Sequence, residues 1–121
     1  MRVTKTYAAT LVVAFGASVA LGSCGGGHTV DRLLGAKCEN DNDCDERCLG
    51  PNDEFPEGLC SYQCDGDRDC PDDAWCIESN GGVCLFACGD DIDCDFLGRE
   101  WVCRDRDRRG GGGKERVCVG R

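Results

Sequence analysis

Twelve cysteines lie between positions 38 and 118, and their spacing sets the chemistry this chain can do. Thiols pair by oxidation, bind soft metals, or attack as thiolates activated by a neighbouring base. Zinc sites favour closely spaced cysteine pairs, and the chain has neither C-x2-C nor C-x-C. Its single histidine, His28, precedes the cysteine-rich stretch. Pairwise oxidation is the remaining chemistry, with the twelve forming six disulfides. They are Cys38, Cys44, Cys48 and Cys60, then Cys64, Cys70, Cys76 and Cys84, then Cys88, Cys94, Cys103 and Cys118. Each quartet reads C-x5-C-xm-C-xn-C, and the three-residue links SYQ and LFA join one quartet to the next.

The first loop of each quartet is CENDNDC, CDGDRDC or CGDDIDC. An Asp stands just before the second cysteine (Asp43, Asp69, Asp93), and another two positions earlier (Asp41, Asp67, Asp91). Carboxylates this dense suit Ca2+, which takes 6–8 oxygen ligands. Asp65, Asp67, Asp69, Asp91 and Asp93 are therefore candidate ligands of a weak Ca2+ site, with Asp72, Asp73, Asp90 and Asp95 nearby. The pattern is no EF-hand, because Cys70 and Cys76 stand where that loop needs Gly and Glu. The bland alternative is a solvated acidic surface, and no other cofactor is expected. Candidate binding aromatics are Phe55, in the loop LGPNDEFPEGL, together with Trp75 and Trp101.

The thirteenth cysteine, Cys24, stands alone. It follows a basic start, MRVTKT, and the uncharged apolar run YAATLVVAFGASVAL. That order marks a secretory signal segment, too short to span a bilayer comfortably. An ordinary cut near Ser23 would leave Cys24 as a free thiol, open to stray pairing. The residues LGSC resemble the lipobox of bacterial lipoproteins. The resemblance implies a diacylglycerol on the Cys24 sulfur, removal of residues 1–23, and acylation of the new amino terminus. Gly25 stands where an Asp would favour inner-membrane retention, so the same resemblance implies the outer membrane. Residues 24–37, Cys24 followed by GGGHTVDRLLGAK, then read as a flexible tether.

Composition states what these elements must achieve. From position 38 to 118, Leu, Ile, Val and Phe make up about 15% of residues, below the ~20% at which a chain without other support tends to disorder. Covalent crosslinks must replace the missing core. Charge is uneven: residues 24–103 carry a net −15 and residues 104–121 a net +4. The basic stretch RDRDRRGGGGKER reads as a disordered surface loop with a mobile glycine tip. A functional role for it would be contact with an anionic envelope glycolipid or with another copy's acidic face. Nucleic acid is not an expected partner, since no aromatic interleaves the arginines.

The repeated unit, C-x2-D-x-D-C with Trp75 or Trp101 near the third cysteine and Gly58 or Gly82 two before the fourth, resembles known extracellular modules. It is similar to repeats of cysteine-rich lipoproteins of myxobacterium-type bacteria, to the Dickkopf amino-terminal cysteine-rich region and to the EB module. Copy one lacks the aromatic and copy three lacks the glycine. The resemblance implies an extracellular binding or structural module and carries no catalytic residues. Four cysteines allow three pairings, among which sequence does not choose; first-to-third with second-to-fourth is preferred. The expected fold is small and disulfide-rich, mostly loops and short β-hairpins, after an N-terminal signal helix. Its three tandem four-cysteine units span 38–60, 64–84 and 88–118. Gly66, Gly81 and Gly82, with Asn80, are expected to supply positive-φ turns, and PDDAWC one further turn. Copies this short should stack to share a core.

A non-catalytic protein is expected. The only serines after the lipidation motif are Ser61 and Ser79, and small loops enclose little space for a substrate. The leading expectation is a lipid-anchored cell-envelope protein displaying a disulfide-stabilised interaction module. It would be exported, held to the membrane by its N-terminal lipid, and offered to a protein or envelope-glycan partner. The alternatives are a structural or protective surface lipoprotein without specific ligand, and a Ca2+-binding or inhibitor-like mini-protein using the loop 49–59. Exposure of Phe55 and Trp101 separates the first two: exposed aromatics form an anchor patch, buried ones belong to the core.

Overall fold

The computed structural model describes residues 29–121. The signal segment 1–23 with its expected helix, the lipidation candidate Cys24, and the start of the tether through His28 lie outside the described residues.

Each unit is built the same way: a one-turn 3-10 helix at the D-x-D step, then an antiparallel hairpin. The opening turns are Asp41–Asp43, Asp67–Asp69 and the longer Asp91–Leu97. The hairpins pair β1 (Arg47–Leu49) with β2 (Leu59–Ser61), β3 (Ala74–Ile77) with β4 (Val83–Phe86), and β5 (Trp101–Asp107) with β6 (Lys114–Gly120). The register sets Cys48 opposite Cys60, Cys76 opposite Cys84 and Cys103 opposite Cys118. These opposed cysteines do not bond to each other. The third cysteine of each unit reaches back to the first (Cys38–Cys48, Cys64–Cys76, Cys88–Cys103), and the fourth to the second (Cys44–Cys60, Cys70–Cys84, Cys94–Cys118). Each hairpin is thus stapled twice to the turn that precedes it. The Cα–Cα spans run from 5.3 to 5.9 Å, inside the range a disulfide spans without backbone movement.

The three two-stranded sheets share one core of Leu34, Leu49, Phe55, Leu59, Ile77, Val83, Leu85, Phe86, Leu97, Trp101, Val117 and Val119. Half-cystines fill much of the remaining interior. Backbone hydrogen bonds lock the units together: Glu78 N–H to Asp107 O at 2.8 Å, Arg109 N–H to Cys76 O at 2.9 Å, and Gly120 N–H to Glu54 O at 2.8 Å. Ser61 is fully buried and donates its hydroxyl to Cys84 O at 2.7 Å, tying unit one to unit two.

Three details differ from the sequence reading. The later part of the tether is structured. The Asp31 carboxylate accepts from Leu33 and Leu34 N–H, Leu34 is buried, and Gly35 and Ala36 bond to Cys60 of β2. The stretch RDRDRRGGGGKER is regular hairpin rather than disordered loop. Opposite charges face each other on its rungs, Asp105 on Arg116, Arg106 on Glu115 and Asp107 on Lys114, which is favourable across a strand pair. Gly66 is extended (φ −164°), whereas Asn80, Gly81 and Gly82 do take positive φ. The PDDAWC turn closes through Ala74 N–H to Pro71 O at 3.0 Å.

The Gly-x-Cys step has a steric cause. A Cβ on Gly58 would lie 1.9 Å from Cys38 O, and one on Gly82 would lie 2.4 Å from Cys64 O, so the first cysteine's carbonyl fills the same space in both units. Both glycines also have positive φ, 80° and 101°. Unit three solves the step differently, with Arg116 in strand β6. Replacing Gly58 or Gly82 with Ala should cost about 2 kcal/mol or more. Gly112→Ala, at a tip where a Cβ meets nothing within 4 Å, should be near neutral. Thermal melts of the three oxidised variants check this.

Candidate functional site

The paired aspartates hold the turns. In every unit the first Asp of D-x-D accepts from the backbone N–H of the third cysteine: Asp41 from Cys48 at 2.9 Å, Asp67 from Cys76 at 3.0 Å, Asp91 from Cys103 at 2.9 Å. The second Asp accepts from the residue after the first cysteine: Asp43 from Glu39 at 2.9 Å, Asp69 from Asp65 at 2.9 Å, Asp93 from Gly89 at 2.7 Å. The donors flank the turn, one just before it and one in the first strand of the hairpin that follows, so the two carboxylates tie the turn to the chain on both sides, and a carboxylate is a strong acceptor for a backbone N–H. Each disulfide bridge from first to third cysteine is therefore accompanied by two carboxylate–amide bonds.

This places the Ca2+ candidates. Asp67, Asp69, Asp91 and Asp93 each accept a backbone N–H, and Asp65 lies 3.8 Å from the Arg109 guanidinium. They are dispersed over the turns of two units instead of converging on one point. Among the described residues, the sets of three potential metal ligands whose donor atoms lie within 4.8 Å of one another are all half-cystines, such as Cys64, Cys70 and Cys76. Sulfurs already joined in disulfides offer no thiolate.

The β5–β6 hairpin is the other charged feature, and it contacts its own chain's acidic units. Arg106 forms a two-pronged ion pair with Glu54 of the unit-one loop, at 2.8 and 2.9 Å. That hydrogen bond raises the Arg106 pKa further above its ordinary value, against the opposing effect of burial. Arg108 pairs with Asp67 of unit two, lies 3.5 Å from Glu115, and stacks over the Trp75 ring at 5.0 Å. Arg109 pairs with Glu78 at 2.8 Å. A contact foreseen between copies is thus made within one chain. The RDRDRR and KER segments carried the signal, since their signs match when the chain is folded back across the glycines.

The aromatic candidates are a correction. Phe55 and Trp101 are each 2% exposed and belong to the core. Asn52 Oδ1 accepts from Glu54 and Phe55 N–H at 2.9 Å, and Gly58 N–H bonds to Phe55 O, so the loop 49–59 folds inward. Trp75 is half-buried beneath Arg108. Apolar exposure lies elsewhere, at Val30, Leu33, Ile92 and Phe96. An open groove of about 540 Å³ is lined by Lys37, Cys38, Glu39, Asp43, Pro51 and Glu57. Lys37 and Glu57 are ion-paired there at 2.9 Å.

Among the described residues no helix is long and apolar enough to cross a membrane. No protein-family profile, curated protein or solved structure matches the chain.

Three outcomes follow from this geometry. Removing the carboxylate in Asp41→Ala or Asp91→Ala should destabilise the oxidised protein by about 1–3 kcal/mol, because a cysteine N–H loses its acceptor. The melt should coincide in EDTA and in millimolar Ca2+. A double-mutant cycle on Arg106 and Glu54, whose side chains are 27% and 34% exposed, should give a coupling of about 1 kcal/mol that falls with added salt.

Proposed function

We propose that this chain is an exported bacterial lipoprotein, anchored at the outer membrane through Cys24, whose disulfide-fixed module serves non-catalytic contact at the cell envelope. One observation carries the reading: all twelve cysteines of the described residues are used in six disulfides. Disulfides in that density suit an oxidising, extracytoplasmic compartment. They leave Cys24 as the odd sulfur, at the end of LGSC and behind an apolar segment. Two or more acyl chains there would hold the protein stably, at about 0.8 kcal/mol per buried methylene. The kinship to cysteine-rich lipoprotein repeats, to the Dickkopf amino-terminal region and to the EB module belongs to the same proposal.

Burial of Phe55 and Trp101 supports a second reading, a structural or protective surface lipoprotein with no specific ligand. Those two side chains offer a partner no anchor. The inhibitor-like alternative loses its displayed residue for the same reason.

Intact-mass spectrometry of protein purified from membranes tests the anchor. The expected mass is residues 24–121 plus acyl groups, rising by twelve hydrogens on reduction, one pair for each of the six bridges. Cys24→Ser should abolish the acyl mass and the membrane association together. An unmodified Cys24 in processed, membrane-derived protein would contradict the proposal.

A further inference from the structure

The described residues expose four large apolar side chains, Val30, Leu33, Ile92 and Phe96, with Ile92 at 71% the most open. They come from two short segments, 30–33 and 92–96, which meet at the buried Phe86 ring through Val30 and Phe96. A Cβ on Gly35 would lie 3.0 Å from that ring and 3.2 Å from Val30 Cγ1, so Val30 and Phe86 flank the same glycine. Phe96 stands edge-on to Phe86, with ring centroids 5.1 Å apart. Ile92 points outward because its neighbours Asp91 and Asp93 turn inward to the Cys103 and Gly89 amides. The equivalent residues of the other units are Asn42 and Arg68, so this turn alone shows an apolar tip.

We infer that this patch rests on the bilayer surface to which Cys24 is tethered, an inference that depends on the lipid anchor proposed above. Residues 25–29 alone separate Cys24 from Val30, and six peptide steps reach about 20 Å at full extension. A chain fixed at Cys24 therefore holds its Val30 edge within that distance of the interface, at an effective concentration no dissolved partner matches. Apolar side chains at such an interface gain by entering the boundary between headgroups and acyl chains. Charge selects the kind of surface. Asp90, Asp91, Asp93 and Asp95 surround Ile92 and Phe96 in the chain, Asp31 follows Val30, and Arg32 is offset by Asp45 at 3.7 Å. This rim repels an anionic bilayer and is tolerated by a zwitterionic one.

The test uses the acylated protein carrying Ile92→Trp, reconstituted into phosphatidylcholine vesicles with or without bromine on the acyl chains. Position 92 is open, and a mass confirming six disulfides verifies the fold of the variant. The introduced indole should lose roughly half of its emission to the brominated chains, while the parent protein, with Trp101 buried and Trp75 under Arg108, should lose little. Replacing about a third of the lipid by phosphatidylglycerol should weaken the quenching. An acylated, vesicle-bound variant whose added emission is unquenched overturns the docking and leaves the anchor standing. Quenching that strengthens with anionic lipid overturns the charge argument. A chain without acyl mass removes anchor and docking together.

Discussion

The interleaved pair of disulfides in each unit is the constraint on which this structure depends. With so few large apolar residues, the chain cannot order its loops by burial alone. Linking first to third and second to fourth cysteine ties a short turn to both strands of the hairpin that follows. The denatured chain loses freedom accordingly, by a free energy of about 2–4 kcal/mol for a typical bridge. The first aspartate of D-x-D completes the unit by accepting the N–H of the third cysteine, in the first strand of the hairpin. Three such units then share one main apolar core, beside a smaller half-cystine cluster in unit one.

Much of this organisation was legible in the cysteine spacing. The three quartets, the six bridges, the dominance of hairpins and the shared core all follow from the count and periodicity of the cysteines. The aspartate pattern was equally visible, but its role was not. Alternating carboxylates on a tight turn serve a cation or a set of backbone amides, and only the direction of the side chains decides between them. Gly58 and Gly82 stood out as a repeated step, yet the carbonyl each one faces belongs to a cysteine some twenty residues earlier. Burial of Phe55 and Trp101 was hidden for the same reason, since the residues covering them lie far away in the chain.

Charge asymmetry has an internal use in this fold. The acidic units and the basic β5–β6 hairpin neutralise each other within one molecule, through Arg106 on Glu54, Arg108 on Asp67 and Arg109 on Glu78. Arg108 also covers Trp75, so the arm closes a partly apolar surface as well as pairing charge. Among the described residues the surface is otherwise acidic, and the large apolar side chains it exposes are Val30, Leu33, Ile92 and Phe96.

Disulfide mapping of the native protein tests the central claim most directly. Proteolysis without reduction, followed by mass spectrometry of the linked peptides, should recover Cys38–Cys48, Cys44–Cys60, Cys64–Cys76, Cys70–Cys84, Cys88–Cys103 and Cys94–Cys118. Recovery of Cys48–Cys60 or its counterparts, of a bridge between units, or of free thiols among these twelve would contradict the account.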